Sequence, residues 1–304
     1  MAGRACCSWL LATLLLLGAN VEHFADRLLD AIEAKGSPVC VGLDPSMEKL
    51  PPELKHLPPG EAIERFCSGV IEAVAGIVPA VKPQIAYFER YGHGGVAAYE
   101  RVCRLAAQAG LVVIGDVKRG DIGSTAAEYA AAHLGNTAVD AITVNSYFGS
   151  DGISPFVQAA EPAGKGLFVL VRTSNPSAAA IQDLADSAGV PLYEHVAAQV
   201  AQIGASCVGG RGYSAVGAVV GATWPQQART LRQIMPQQIF LVPGYGAQGA
   251  TAADCAAAFK SDGTGAIVNA SRSVLYAFAG QSDWKTAIAA AAKAFAQDIR
   301  AALK

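Results

Sequence analysis

Eight short apolar runs, each followed by a loop and in most cases by a helical pattern, constrain this chain more than any other feature. They fall at 38–43 (PVCVGL), 79–85 (PAVKPQI), 111–117 (LVVIGDV), 139–145 (VDAITVN), 166–172 (GLFVLVR), 215–221 (AVGAVVG), 238–243 (QIFLVP) and 265–270 (GAIVNA). Each is nearly continuous in Val, Ile, Leu, Gly and Ala rather than alternating. Strands covered on both faces read this way, and such strands belong to parallel sheets. Helical patterns lie between them, at 60–78, 95–109, 124–134, 190–208, 225–235 and 250–260, with 21–35 before the first run and 283–303 closing the chain. The rhythm predicts a single α/β domain over 21–304, a (β/α)8 TIM barrel, with an open doubly wound sheet as the alternative. The Pro-rich stretch 51–59 reads as a loop, because the strand rhythm resumes after it.

Composition narrows the function classes. Of 304 residues 52% are apolar and 16% charged, with a formal net charge of −2. A disordered chain needs the opposite balance. A nucleic-acid binder held by a basic surface needs a cationic excess that is absent, so no nucleic-acid partner is expected. The seven cysteines are odd in number, show no CxxC spacing, and five lie in apolar segments. They read as reduced, buried thiols, which points to the cytoplasm and away from a disulfide framework or a zinc site. No His spacing suggests a metal ligand set, so no metal is expected. Trp224 and Trp284 read as helix packing.

Residues 1–20 do not match the rest. The apolar run 5–17 is shorter than the ~20 residues that span a bilayer, so no membrane partner is expected. It resembles the h-region of a secretory signal, but Leu17 and Ala19 make a poor cleavage site. Three readings compete: a true signal, an unusual tail or anchor, and a start assigned too far upstream, with Val21 as the initiator. The third is favoured.

In a barrel, function sits at the C-terminal ends of the strands. The third run ends in Asp116-Val117-Lys118-Arg119-Gly120-Asp121. Residues i and i+2 of a strand share a face, so Asp116 and Lys118 point together toward the mouth. Lys82, within the second run, needs a carboxylate partner if it is buried, and Asp116 is the natural one. Asp44 ends the first run. The bland alternative, a solvated turn with surface ion pairs, is weakened by the strand-end position. Arg172-Thr173-Ser174-Asn175-Pro176 ends the fifth run, where its polar groups either read a polar ring or merely begin a helix before Pro176.

The seventh run is followed by Gly244-Tyr245-Gly246-Ala247-Gln248-Gly249 and a helical stretch. Formally this matches a dinucleotide fingerprint, but it follows the seventh strand and no acid ends the next one. That next strand delivers Ser271 and Arg272 instead. Glycine-rich loops after strands seven and eight of barrels bind phosphate through backbone N–H groups, and Arg272 adds a charged fork. A phosphorylated small-molecule substrate is expected.

With these residues in place, the chain resembles the orotidine 5′-phosphate decarboxylase family in its longer bacterial form. The stretches that carry the resemblance are VKPQIAYFERYG, GDVKRGDIGSTAAEYA, VRTSNP, VPGYGAQGAT and VNASRSVLYA, and DVKRGDIGST is the most specific. Residues 1–20 have no counterpart in it. The resemblance implies conversion of orotidine 5′-phosphate to UMP and CO2, the last step of pyrimidine nucleotide synthesis, without a cofactor. It implies a homodimer. Residue by residue, it implies that Asp44 contacts the ribose and Lys82 bridges ribose and carboxylates. Asp116 sits beside the departing carboxylate and Lys118 donates the proton. Asp121 and Thr125 reach into the partner's site. Ser174 bonds the pyrimidine, and Gln248 and Arg272 bind the phosphate. Four rivals remain: magnesium-dependent sugar-phosphate barrels with a similar DxKxxD, a Schiff-base aldolase using Lys118, a nicotinamide-linked oxidoreductase, and an exported, non-catalytic phosphate binder.

Overall fold

The computed structural model describes residues 21–279, 281 and 283–304. The expectations for residues 1–20 lie outside the described residues. Eight parallel strands close into a barrel in chain order: β1 (Val39–Leu43), β2 (Ala80–Pro83), β3 (Val112–Arg119), β4 (Ala141–Val144), β5 (Gly166–Arg172), β6 (Ser214–Val220), β7 (Gln238–Pro243) and β8 (Ala266–Ala270). The ring closes where Val39, Cys40 and Val41 of β1 pair with Val268, Asn269 and Ala270 of β8. The (β/α)8 expectation stands, and the open sheet is excluded by that closure.

The near-continuous apolar runs follow from burial on both faces. Every residue of β1, β2, β4, β6 and β8 is buried. Facing helices press apolar stripes onto the outside of the ring. The helix Pro59–Val74 buries Ile63, Phe66, Val70 and Val74. The closing helix Trp284–Ala302 buries Trp284, Ile288, Phe295 and Ile299, and its Trp284 ring lies 5.4 Å from Phe66. The described cysteines, Cys40, Cys67, Cys103, Cys207 and Cys255, are all free and buried. Burial raises their thiol pKa values, and that of Cys40 reaches about 12, so they pack as small hydrophobes.

Element bounds differ from the sequence reading where local chemistry intervenes. The helical pattern 124–134 is a helix at Gly123–Ala130 followed by a π-helical turn at Ala131–Gly135. The Pro-rich stretch forms a 3-10 turn at Pro52–Leu54 ahead of the helix at Pro59. The stretch after β5 holds only a 3-10 turn at Pro176–Ala178 and a short helix at Ala179–Gln182, before the helix Leu192–Gly204.

Candidate active site

The strand ends enclose a cavity of about 590 Å³. Asp44, Lys82, Asp116, Lys118, Ser174, Gln248 and Arg272 all line it. Seven of the nine residues singled out in the sequence therefore meet in one place. The other two, Asp121 and Thr125, do not line the cavity of this chain. Asp121 is half-buried in the loop after β3, where its carboxylate accepts from the Ile122 N–H at 2.8 Å, and Thr125 is exposed.

Asp116 is the centre of the charge cluster. Its Oδ2 accepts from Lys82 Nζ at 2.6 Å, and its Oδ1 accepts from Lys118 Nζ. Lys82 and Asp116 are each 5% exposed, so their pairing satisfies the rule that a buried lysine needs a carboxylate. Burial alone would raise the Asp116 pKa. The ammoniums of Lys82 and Lys118 outweigh burial and hold its carboxyl well below the usual carboxylate range. Burial likewise opposes the charge on Lys82, and the carboxylates of Asp116 and Asp44 overcome it and push its pKa up. The Lys118 side chain is 46% exposed against 7% for Asp116, so the ammonium stands at the floor of an open mouth with one side anchored.

Lys118 does not sit in a regular strand. Its φ is 44°, the only positive value at a non-glycine position among the described residues. The pairing of β3 with β4 jumps from Gly115–Ile142 to Arg119–Val144. Simple i, i+2 alternation therefore gives the right direction for Asp116 and Lys118 for an incomplete reason. A bulge, not an even pleat, brings the two side chains together at the mouth.

Gly244, Ala247, Gln248 and Arg272 form another part of the cavity wall. Gly244 and Gly246 take φ values of 118° and 67°, which L side chains resist, so the loop can turn its backbone toward the mouth only as glycine. Arg272 follows β8 and donates from Nη2 to the Ala247 carbonyl at 3.2 Å, tying the loops after β7 and β8 together. Tyr245 lines the cavity as well, with its ring 4.7 Å from Phe295 and its hydroxyl donating to Asp298 at 2.7 Å.

The β5 loop is anchored from below. Arg172 is fully buried; its Nη1 lies 2.7 Å from an Asp183 oxygen and its guanidinium lies 4.1 Å over the Trp224 ring. Gln182 accepts from Thr173 N at 3.1 Å and donates to Thr173 Oγ1 at 2.8 Å, while Trp224 Nε1 donates to the Thr173 carbonyl at 2.9 Å. Asn175 makes no side-chain cap to the turn that begins at Pro176. The polar stretch 173–175 is thus held at the cavity wall rather than spent on a helix start. Trp224, expected to serve helix packing, belongs to this anchor.

Sequence reasoning passed over several contributors. Thr143 of β4 is buried and its hydroxyl donates to Asp116 Oδ1 at 3.1 Å. Asn269 of β8 lines the cavity two residues before Ser271, a position the same i, i+2 rule would have found. The buried oxygens Asp44 Oδ1 and Asn269 Oδ1, both in cavity-lining side chains, have no protein hydrogen-bond partner. The Tyr276 hydroxyl donates to the Asp44 carbonyl at 2.7 Å and accepts from Ser46 N at 2.8 Å, which fixes the turn carrying Asp44. Among the described residues, no group of three or more His, Cys, Asp or Glu is placed to hold a metal ion.

Known proteins are similar to this chain over most of its length. Residues 37–287 match the Orotidine 5'-phosphate decarboxylase / HUMPS family. The chain is 44% identical over 290 residues to an orotidine 5′-phosphate decarboxylase of Rhodopirellula baltica, covering 88% of this chain and 96% of the relative. It is 41% identical over 303 residues to one of Caldicellulosiruptor bescii, covering 92% and 99%. Among solved structures, an OMP decarboxylase of Leishmania donovani superimposes with a TM-score of 0.75 at 34% identity, covering 92% of this chain and 98% of that one.

Proposed function

The chain belongs to the orotidine 5′-phosphate decarboxylase / HUMPS family, and from that membership we propose how its barrel mouth converts orotidine 5′-phosphate to UMP and CO2. The observation that carries the mechanism is the Lys82–Asp116–Lys118 chain at the cavity floor. The phosphate binds between Gln248, Arg272 and the glycine loop. The ribose hydroxyls meet Asp44 and Lys82, where the unpartnered Asp44 oxygen supports the assignment. Ser174 bonds the pyrimidine edge.

Bound this way, the C6 carboxylate faces Asp116 and Lys118. The C6–carboxylate bond breaks, CO2 leaves, and the electron pair stays on C6. A fixed ammonium beside that carbon stabilises the developing charge without reorganisation, and preorganised groups of this kind contribute ~10²–10³-fold each. Lys118 then gives its proton to C6 and regains one from solvent. Asp116 aims the ammonium and repels the departing carboxylate. Contacts at the remote phosphate help by closing the loop over the ring. No step calls for a metal or an organic cofactor.

The active unit we propose is a homodimer. Asp121 and Thr125 lie outside this chain's cavity, and Ile122, Tyr129, Tyr147 and Phe148 nearby are exposed apolar side chains, 84% in the case of Tyr147. Those features suit a shared interface that carries Asp121 and Thr125 into the second mouth. The functional unit is residues 21–304, acting in the cytoplasm with its thiols reduced.

The test is ultraviolet-monitored decarboxylation of orotidine 5′-phosphate with EDTA present, by a chain starting at Val21. Conversion to UMP is expected. A folded protein that works only when Mg²⁺ is restored would move the assignment to the metal-dependent members of the family.

A further inference from the structure

We propose that Thr143 is a positioning residue for the decarboxylation, its hydroxyl holding the Lys118 backbone and the Asp116 carboxylate in one closed ring of hydrogen bonds. The proposal rests on the decarboxylase reading and assigns a role to a residue of β4 that lines the cavity beside Asp116 and Lys118.

The observation is the bulge. Between the pairs Gly115–Ile142 and Arg119–Val144, β3 advances four residues while β4 advances two. Asp116, Val117 and Lys118 therefore stand opposite Thr143 alone. The ladder does not serve the Lys118 N–H there, and this half-buried donor needs another acceptor. Thr143 Oγ1 takes that hydrogen bond at 2.9 Å. A backbone N–H only donates, so the hydroxyl proton is left free. It goes to Asp116 Oδ1 at 3.1 Å, an ionised oxygen that only accepts. The same Oδ1 accepts from Lys118 Nζ. The ring runs from Lys118 N through Thr143 Oγ1 and Asp116 Oδ1 back to Lys118 Nζ.

This ring explains the backbone at Lys118. A left-handed conformation is unfavourable for a residue with a Cβ, and it persists only where the surroundings over-determine it. Here the hydroxyl of a fully buried side chain, 1% exposed, supplies the determination. Packing alone would be served as well by valine, which fills the same volume and favours strands equally. Valine would leave the Lys118 N–H and one Asp116 lone pair unserved, and the ammonium would lose its fixed origin. Misplacing a reacting group by about 1 Å costs on the order of 10²-fold in rate.

The test compares Thr143→Val, Thr143→Ala and Thr143→Ser with the wild type, each matched for fold by near-ultraviolet circular dichroism. The expected result for T143V is a fall in kcat of about 30-fold or more, with KM within about threefold because the phosphate and ribose contacts are untouched. T143S, which keeps the hydroxyl, should stay within about threefold of wild type in kcat. If T143V does not fold, T143A is read in its place. A second readout needs no turnover: the Lys118 amide should exchange slowly with solvent in wild type and T143S, and faster in T143V or T143A.

Three kinetic results overturn the proposal: kcat of the folded valine or alanine variant within about twofold of wild type, a loss carried wholly by KM, or a serine variant as impaired as the valine one. Unchanged amide exchange at Lys118 also overturns it. An inactive wild type would sink the decarboxylase reading and leave the exchange experiment to decide on Thr143.

Discussion

Asp116 draws Lys82, Lys118 and Thr143 onto one carboxylate, and that crowding is what the proposed chemistry uses. Its pKa is held down, so the group stays ionised wherever the barrel is folded and gives the lysines a fixed electrostatic reference. Across the mouth, Arg272 is the cation proposed to meet the phosphate dianion. Arg272→Ala should lower kcat/KM by about 10–150-fold, the equivalent of the ~1.5–3 kcal/mol a charged hydrogen bond contributes, with an unchanged melting temperature. Steady-state kinetics with thermal melts checks it, and a loss of melting temperature matching the loss of activity would point to folding instead. The Lys82–Asp116 pair is legible in the residue order alone, because an ammonium in an apolar run has few places to go. Thr143 is not, because a threonine in AITV is indistinguishable from a β-branched filler until its hydroxyl has partners.

At the scale of elements, the loop after β5 and the π-helical turn after β3 carry consequences of their own. Arg172 lies at the root of the β5 loop with Asp183 as its carboxylate partner. Asp183→Ala should leave a buried guanidinium supported by aromatic rings and Gln182 alone. Because Asp183 is 41% exposed, the cost is below the ~3–5 kcal/mol of a fully buried pair. The expected outcome is a lower melting temperature and a raised KM, as Thr173 and Ser174 lose their anchor; an unchanged KM would show that the loop does not depend on this pair.

His133 sits in the π-helical turn Ala131–Gly135. Burial, and then the Arg119 guanidinium, push its pKa down to about 4. Between about 4 and the unperturbed value near 6.5 the unfolded chain binds the proton more readily. Stability from the neutral imidazole is therefore complete above about pH 6.5 and is lost as pH falls toward 4. His133→Gln should flatten the decline in melting temperature between pH 7 and pH 5, and equal slopes in both proteins would refute the assignment. The π turn itself is invisible in the sequence, since 124–134 carries an uninterrupted helical pattern and the change of hydrogen-bond step depends on what packs beneath it.

For the whole molecule, the decisive question is the second subunit. Lys118→Ala and Asp121→Ala should each be nearly inactive alone. If the mouth is shared, mixing them under conditions of subunit exchange should restore activity toward a quarter of wild type, from heterodimers that carry one intact site of two. Exchange confirmed by mass without recovery would remove Asp121 from the partner's site.

The chain by itself determined the barrel, the mouth and most of its occupants. Eight apolar runs of strand length without a break in composition leave few ways to bury every face, and functional groups at strand ends follow from closure. Pairing at Lys82 and the anion-binding character of the glycine loop follow from the cost of isolated charge and from backbone freedom. Tertiary structure alone decided the finer geometry: the β3 bulge, the left-handed Lys118, the ring through Thr143, and Trp224 as a support for Arg172. These depend on register and on contacts between residues 25 to 52 positions apart, and neither periodicity nor residue type encodes which acceptor a displaced N–H will find.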